Sequence, residues 1–220
     1  MDFKAGEIFA IDKPYRISSF GALAHVRYVL SRTLGYKVKI GHAGTLDPLA
    51  TGVLILCTGK ATKRIEEFQG QTKEYTATLQ LGATTASYDM EHEVNASFPT
   101  EHITRELIND TLPQFIGDIE QIPPTYSAVK VNGDRAYELR RAGEEVKLKP
   151  KHIHIDEIEV VDFDVEKMQL SLRVVCGKGT YIRALARDLG RALNSGAYLT
   201  ALRRTRVGDF TIDRCLDYEH

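Results

Sequence analysis

Several features that would assign this 220-residue chain to a familiar class are missing from its sequence. No apolar run approaches the roughly 18 residues that a membrane-spanning helix needs, and the first residues do not have the shape of a signal peptide. The three cysteines, Cys57, Cys176 and Cys215, lie far apart in the sequence. Cys57 and Cys176 fall in apolar, strand-like runs, so we expect free thiols in a reducing compartment and a cytoplasmic protein without a membrane partner.

Signatures of several chemistries are missing as well. No group of His, Cys, Asp and Glu has the spacing of metal ligands, so we expect no metal site. No Ser-His-Asp signature context is present. The one glycine-rich run, at residues 41–52, lacks the Gly-Lys-Ser/Thr ending of a phosphate-binding P-loop.

The charge is unevenly distributed, although the net charge is only −1. Residues 1–73 carry eleven Lys and Arg against six Asp and Glu, residues 74–125 one against nine, and residues 126–220 seventeen against fifteen. An acidic middle therefore hides two segments that could form a basic face for a polyanion. Charges spread over a solvated surface explain the counts equally well, so the charge permits such a partner without requiring one.

The pattern of apolar residues predicts strands and helices that follow one another without strict β-α alternation. This order favours a mixed sheet with helices packed on it. The predicted strands are 8–11, 53–57, 75–81, 153–163, 168–176 and a last one that starts near 210; the predicted helices run from Ser18 or Ser19 to about 34, over 62–68, from a Thr104 cap to about 112, and from a Thr180 cap to 193. Residues 84–89 are expected to form a loop.

The run at residues 41–52 holds three glycines, a proline and one carboxylate, and a buried strand is predicted to follow it. Pro48 pushes the preceding residue, Asp47, into an extended conformation, so this carboxylate is held on a stiff loop. A nucleophile or general base is expected in such a place. Glycine and aspartate are also ordinary turn residues, and the spacing alone favours a plain turn.

Three arginines recur every four residues in the helix predicted after Gly179, namely Arg183, Arg187 and Arg191. Such a stripe is usually a solvated face. Arg183 is the exception, because it lies in the first turn, where a cation opposes the helix dipole. A nearby anion would explain it.

These stretches together resemble a known family, the bacterial tRNA pseudouridine-55 synthases (the TruB family), over nearly the whole chain. The longest and most specific match is GHAGTLDPLATG at residues 41–52. The other matches follow in order: DKP at 12–14, KEYTATLQLG at 73–82, QIPPTYSAVKVNGDRAYELRRAG at 121–143, CGKGTYIRALARDLG at 176–190 and LTALRRTRVGDF at 199–210.

The resemblance implies an α/β (α+β type) pseudouridine synthase fold, with a mixed, mainly antiparallel central sheet flanked by helices. It implies that uridine 55 in the tRNA T-loop is isomerised without a cofactor. Asp47 would attack the flipped-out uridine, Tyr75 would stack on the base and help to move the C5 proton, and Arg183 would pair with Asp47. Substrate contacts are implied for His42, Tyr75, Tyr181 and Leu202.

The resemblance also predicts the organisation of the chain. We expect one catalytic domain over residues 1–220, with an RNA-gripping insertion at about 122–151 and no C-terminal PUA-like domain. The expected partner is the T-stem-loop of tRNA, and the protein is expected to be a monomer. Two other readings stay open: a tRNA-folding chaperone for which catalysis is secondary, and the catalytic subunit of a guide-RNA particle.

Overall fold

A computed structural model describes residues 1–127, 129–131, 133–143 and 146–219. Within them the helices are α1 (Ser19–Leu34), α2 (Ile65–Gln69), α3 (Arg105–Thr111), α4 (Ala136–Arg141) and α5 (Ile182–Ala192), and short 3₁₀ helices cover Gly59–Arg64, Leu112–Phe115 and Ile212–Arg214. The strands are β1 (Ile8–Lys13), β2 (Ile40–Ala43), β3 (Ala50–Thr58), β4 (Lys73–Leu81), β5 (Ala83–Thr85), β6 (Val94–Ser97), β7 (Gly117–Gln121), β8 (Lys130–Val131), β9 (Asp134–Arg135), β10 (Lys151–Asp164), β11 (Gln169–Cys176), β12 (Ala197–Val207) and β13 (Phe210–Thr211).

The chain divides into two compact units, and the first comprises residues 1–76 and 202–220. Its strands follow the order β1-β3-β12-β4, with β2 also paired to β3 and β13 to β12. β3 runs antiparallel to β1 and β2 and parallel to β12. Leu54 and Leu56 of β3 pack with α1, whereas Val53, Ile55 and Cys57 pack with Phe68 of α2. Because both faces of β3 are covered by helices, its side chains form an unbroken apolar run in the sequence.

The second unit comprises residues 77–201. Both β4 and β12 are divided between the two units, because the boundaries at 76/77 and 201/202 fall within them. The main strands of the second unit follow the order β12-β4-β11-β10-β7, and β5-β6 and β8-β9 form two small antiparallel pairs. β10 is antiparallel to both β7 and β11. The residues predicted to face inward, Ile182, Leu185 and Leu189 of α5 and its C-cap Leu193, are all buried. This arrangement confirms the predicted fold class, a mixed and mainly antiparallel sheet with helices.

Most predicted elements are confirmed, including two helix starts. The Ser18 hydroxyl accepts from the amide of Gly21 at 2.9 Å, and the Thr104 hydroxyl accepts from the amide of Leu107 at 3.1 Å, so both residues cap their helices as expected. In β4 the alternating residues Tyr75, Ala77, Leu79 and Leu81 are all buried, as their spacing predicts.

Two local predictions are wrong. Thr180 does not cap α5: its hydroxyl donates to the carbonyl of Gly177 at 3.1 Å, which closes the preceding turn, and Tyr181 is the N-cap. Residues 84–89 are not entirely loop, because Ala83–Thr85 forms β5 and pairs with β6. The hydroxyl of Thr84 also donates to the side-chain oxygen of Asn95 at 2.8 Å, a cross-strand bond that local sequence does not reveal.

The described helices include none that is both long and apolar enough to cross a membrane.

Candidate active site

Asp47 lies in the loop at residues 44–49, which joins β2 to β3 in the first unit. The carbonyl of Asp47 accepts from the amide of Ala50 at 2.9 Å, so the loop closes in a tight turn where β3 begins. The next carbonyl, that of Pro48, accepts from the amide of Arg16 at 2.8 Å. Backbone bonds therefore hold both Asp47 and its neighbour, which is the stiffness expected from the proline and glycines.

The residue before Asp47 is anchored by a buried hydroxyl. Ser19, the first residue of α1, accepts from the amide of Leu46 at 2.8 Å and donates to the carbonyl of Leu46 at 2.9 Å. Both side chains are buried, at 2% and 3% exposure. Because one hydroxyl satisfies both backbone groups, Leu46 has little freedom to rotate, and Asp47 inherits its orientation.

A buried lysine supports the other side of the loop. Lys13 is fully buried at the end of β1, and its Nζ donates to the carbonyls of Ile17 at 2.6 Å, Pro14 at 2.9 Å and Pro48 at 3.4 Å. Burial lowers the pKa of Lys13 to about 8, an effect that the negative charge of Asp47 partly opposes. The negative charge of Asp47 therefore favours the charged form of Lys13.

His42 lies in β2, where it is paired with Leu56 of β3. Its side chain is half-buried, and within the described part of the chain its Nδ1 has no hydrogen-bond partner. Burial lowers the pKa of His42, and the positive charge of Arg204 lowers it further. The ring is therefore neutral at pH 7, and its buried Nδ1 has unused hydrogen-bonding capacity.

Leu202 and Tyr75 lie on the two strands that continue the sheet from β3. Leu202 in β12 pairs directly with Ala50, three residues after Asp47. β4, the other neighbour of β12, carries Tyr75, which is 7% exposed. Four predicted residues, His42, Asp47, Tyr75 and Leu202, thus belong to the first unit and lie on neighbouring strands or the loop between them.

The other two predicted residues, Tyr181 and Arg183, lie at the start of α5 in the second unit. The side-chain amide of Gln121 holds Tyr181 through both backbone groups: its Oε1 accepts from the Tyr181 amide at 2.9 Å, and its Nε2 donates to the Tyr181 carbonyl at 3.2 Å. Arg183 is 4% exposed, and its Nη1 donates to the carbonyl of Ser87 at 3.1 Å. The expected pairing of Arg183 with Asp47 stays a prediction.

The arginine stripe of α5 is not a solvated face, which corrects that expectation. Arg187 is 8% exposed, its Nη2 donates to the carbonyl of Ile122 at 2.7 Å, and its guanidinium lies 5.6 Å from the ring centre of Tyr88. Only Arg191, one turn further along, is exposed. Arg187 is buried because it ties the helix to the chain just after β7.

The predicted insertion at about 122–151 contains β8, β9 and α4, with Lys147 and Lys149 exposed in the irregular segment that follows. Positions 128, 132, 144 and 145 of this insertion lie outside the described residues. Elsewhere in the insertion, Nη2 of Arg141 lies 3.3 Å from Oε1 of Glu91, and both side chains are exposed. In the ranges that the structure covers, no group of three or more His, Cys, Asp or Glu could hold a metal ion.

Two residues that support the loop were not singled out from the sequence, namely Lys13 and Arg204. Lys13 belongs to the DKP match, and its following proline is a weak signal of an ordered turn. Arg204 stands among the basic residues of LRRTR, where nothing local distinguishes a buried arginine from a solvated one.

Comparisons with known proteins agree with this geometry. Residues 31–182 match the TruB family pseudouridylate synthase (N terminal domain), and residues 183–220 match the tRNA pseudouridylate synthase B C-terminal domain. A curated tRNA pseudouridine synthase B from Bacteroides thetaiotaomicron is 62% identical over all of this chain and 93% of its own length. The protein of the same name from Flavobacterium johnsoniae is 50% identical over 98% of this chain and 94% of its own.

Among solved structures, a chain from the "Crystal Structure of a Cbf5-Nop10-Gar1 Complex" matches 98% of this chain with a TM-score of 0.71 and 29% identity. This chain spans only 53% of that protein. The fold and the loop that carries Asp47 define a pseudouridine synthase. The chain belongs to the TruB family of these enzymes.

Proposed function

We propose that this enzyme isomerises uridine to pseudouridine at position 55 in the T-loop of tRNA, with Asp47 as the nucleophile. The observation that carries the proposal is the anchored loop at residues 44–49, in which backbone and buried side-chain bonds fix the carbonyl groups on both sides of Asp47. A nucleophile held in this way loses little freedom when it reacts. The family match and the names of the curated relatives supply the substrate class.

The chemistry needs a carboxylate and a route for one proton. The Asp47 oxygen forms a bond to C6 of the base or to C1′ of the sugar, and the N1–C1′ bond breaks. The uracil turns, a C5–C1′ bond forms and the Asp47 bond is released. C5 loses its proton and N1 gains one, so the reaction is an isomerisation that needs no cofactor. We assign the transfer of the C5 proton to Tyr75. We assign to Arg183 the role of the positive charge that stabilises the Asp47 carboxylate.

Recognition requires that the uridine leave the folded loop before its ring can be reached. We propose that the aromatic face of Tyr75 stacks on the flipped base, an interaction worth about 1–3 kcal/mol. His42, Tyr181 and Leu202 complete the contacts to the flipped nucleotide. Neutral His42 suits this role because its half-buried ring places no charge beside the base.

We further propose that the basic side chains of the 122–151 insertion meet phosphates of the T-stem, and that the enzyme acts as a monomer in the cytoplasm, where tRNA is modified. Lys147 and Lys149 are exposed and available for such contacts. We propose that the protein acts without other components and therefore needs no guide RNA. This property distinguishes it from the catalytic subunit of a guide-RNA particle.

Site-resolved mapping of pseudouridine tests the proposal. The purified protein is incubated with unmodified tRNA and, separately, with an isolated T-stem-loop; the control tRNA carries cytidine at position 55. We expect pseudouridine at position 55 in both uridine substrates and none in the control. Pseudouridine at a different position, or a requirement for an added guide RNA, would contradict the proposal.

A further inference from the structure

A buried arginine connects the two ends of the loop that carries Asp47. Arg204 in β12 is 1% exposed and is among the largest fully buried side chains in the part of the chain that the structure covers. Its Nη2 donates to the carbonyl of Gly44, where the loop begins, and its Nε donates to the carbonyl of Val53, just beyond the loop in β3. Both distances are 2.8 Å.

The backbone around Arg204 is shaped for this contact. In the parallel pairing of β12 with β3, Arg204 lies opposite Gly52, whose φ is +110°. A Cβ on Gly52 would lie 2.1 Å from the carbonyl oxygen of Arg204, so only glycine allows the strands to approach this closely. Gly44 also has a positive φ, +88°, and the guanidinium lies against it. Two glycines of the 41–52 run are therefore explained by Arg204, which lies 160 positions after Gly44 and 152 positions after Gly52.

A buried guanidinium is expensive to desolvate, so a site occupied only for packing would favour an apolar side chain. The planar guanidinium of arginine, however, holds separate donor atoms apart in fixed directions, so Nε and Nη2 reach two carbonyls that the single Nζ of a lysine would have to share. The positive charge of Arg204 also acts on groups near the loop, because it lowers the pKa of both His42 and Lys13.

We propose that Arg204 is a positioning residue for the isomerisation: by holding the carbonyls of Gly44 and Val53, it sets the path of the loop and thereby the place of the Asp47 carboxylate. Arg204 touches neither the base nor the sugar in this account. The inference rests on the proposed role of Asp47 as the nucleophile.

The test compares wild type, Arg204→Lys and Arg206→Lys. The second variant makes the same change two residues along β12, on a partly exposed arginine that bonds only to the carbonyl of Gly208 and the carboxylate of Glu74 among the described contacts. Single-turnover rates, the Kd for a T-stem-loop and thermal unfolding by circular dichroism are measured for each. Hydrogen exchange is followed at the amides of Leu46 and Ala50, which report on the loop.

We expect Arg204→Lys to lower the single-turnover rate about 10²-fold at temperatures where it is fully folded, because a small misplacement of a reacting group has an effect of this size. The Kd should be unchanged, and the two amides should exchange faster. Arg206→Lys should match wild type in all four measurements. A wild-type rate for folded Arg204→Lys would overturn the proposal, as would a rate loss that only follows the unfolded fraction.

A second variant, Gly44→Ala, keeps the test decisive if Arg204→Lys does not fold. A Cβ at this glycine meets the guanidinium at an ordinary 3.5 Å, but the positive φ strains an alanine and displaces the carbonyl that Arg204 holds. The same loss of rate at unchanged Kd is expected, and a wild-type rate would contradict the proposal. If wild type itself makes no pseudouridine, the proposed function fails, while the hydrogen exchange still decides whether Arg204 orders the loop.

Discussion

The loop at residues 44–49 and the insertion at 122–151 differ in what holds them. In the loop, buried side chains fix the carbonyls of Gly44, Leu46 and Pro48, and every anchor is within hydrogen-bond distance. In the insertion, the ion pair of Arg141 with Glu91 is exposed, and the lysines that follow it are solvated. We infer that the ordered loop places the reacting group, whereas the charged insertion supplies affinity for the RNA.

The largest expected effect on stability comes from the tightest contact beneath the loop. Gly52→Ala adds a Cβ that would lie 2.1 Å from a backbone oxygen, at a φ of +110°. We expect it to lower the free energy of unfolding by about 4 kcal/mol, from strain and overpacking combined. Chemical denaturation measures this. The matched control is Gly35→Ala, which also has a positive φ but no atom within 4 Å of the added Cβ, and should lose only about 1 kcal/mol.

Next comes a change that should affect chemistry and leave affinity alone. Tyr75→Phe keeps the stacking ring but removes the hydroxyl, so we expect the single-turnover rate to fall about 10²-fold or more, the usual contribution of a general base, with little change in Kd. The control is Tyr28→Phe, because Tyr28 is exposed on α1 and its hydroxyl accepts only from Arg32 among the described bonds. A retained rate in Tyr75→Phe would remove the proton-transfer role.

The buried lysine beneath the loop should make stability depend on pH. The pKa of Lys13 is about 8 in the folded protein and 10.5 in an unperturbed lysine, so between these values the unfolded chain binds more protons. Stability should therefore rise with pH across this window, by about 3 kcal/mol. Denaturation midpoints between pH 7 and 11 check this. The rise should be absent in Lys13→Met, and an equal rise in both proteins would show that another group is responsible.

The smallest effect is expected in the insertion. Lys147→Ala and Lys149→Ala should each weaken binding of the T-stem-loop modestly and reduce the slope of log Kd against log salt by about 1, with no change in the rate at saturation. Lys167→Ala, an exposed lysine in the turn between β10 and β11, is the control and should keep the wild-type slope. A change in the rate at saturation would contradict the inference that the insertion contributes to binding and the loop to catalysis.

Local pattern predicted the parts of the fold that local physics decides. Alternation located β4 and β11, and hydroxyl caps located the starts of α1 and α3, because these signals act within a few residues. The position of Asp47 in a stiff loop also followed from Pro48 and the glycines around it.

What escaped prediction depends on distant contacts. Arg187 follows a four-residue spacing that usually indicates a solvated face, yet it is buried because its guanidinium reaches the carbonyl of Ile122. Arg204 lies among basic residues, and only the pairing of β12 with β3 brings it to Gly44 and Val53. Buried cations that bind carbonyls leave no periodic signal, because their partners are set by tertiary structure.

The most direct measurement is the single-turnover rate and the Kd of Asp47→Asn on one T-stem-loop, determined side by side with wild type. The asparagine keeps the size of the side chain and the backbone bonds of the loop, but it is a very poor nucleophile. We predict that pseudouridine formation falls by on the order of 10⁴-fold or more, as expected when a nucleophile is removed, while the Kd stays at the wild-type value. Wild-type turnover by Asp47→Asn would contradict the assignment of Asp47 as the nucleophile and with it the proposed mechanism of isomerisation.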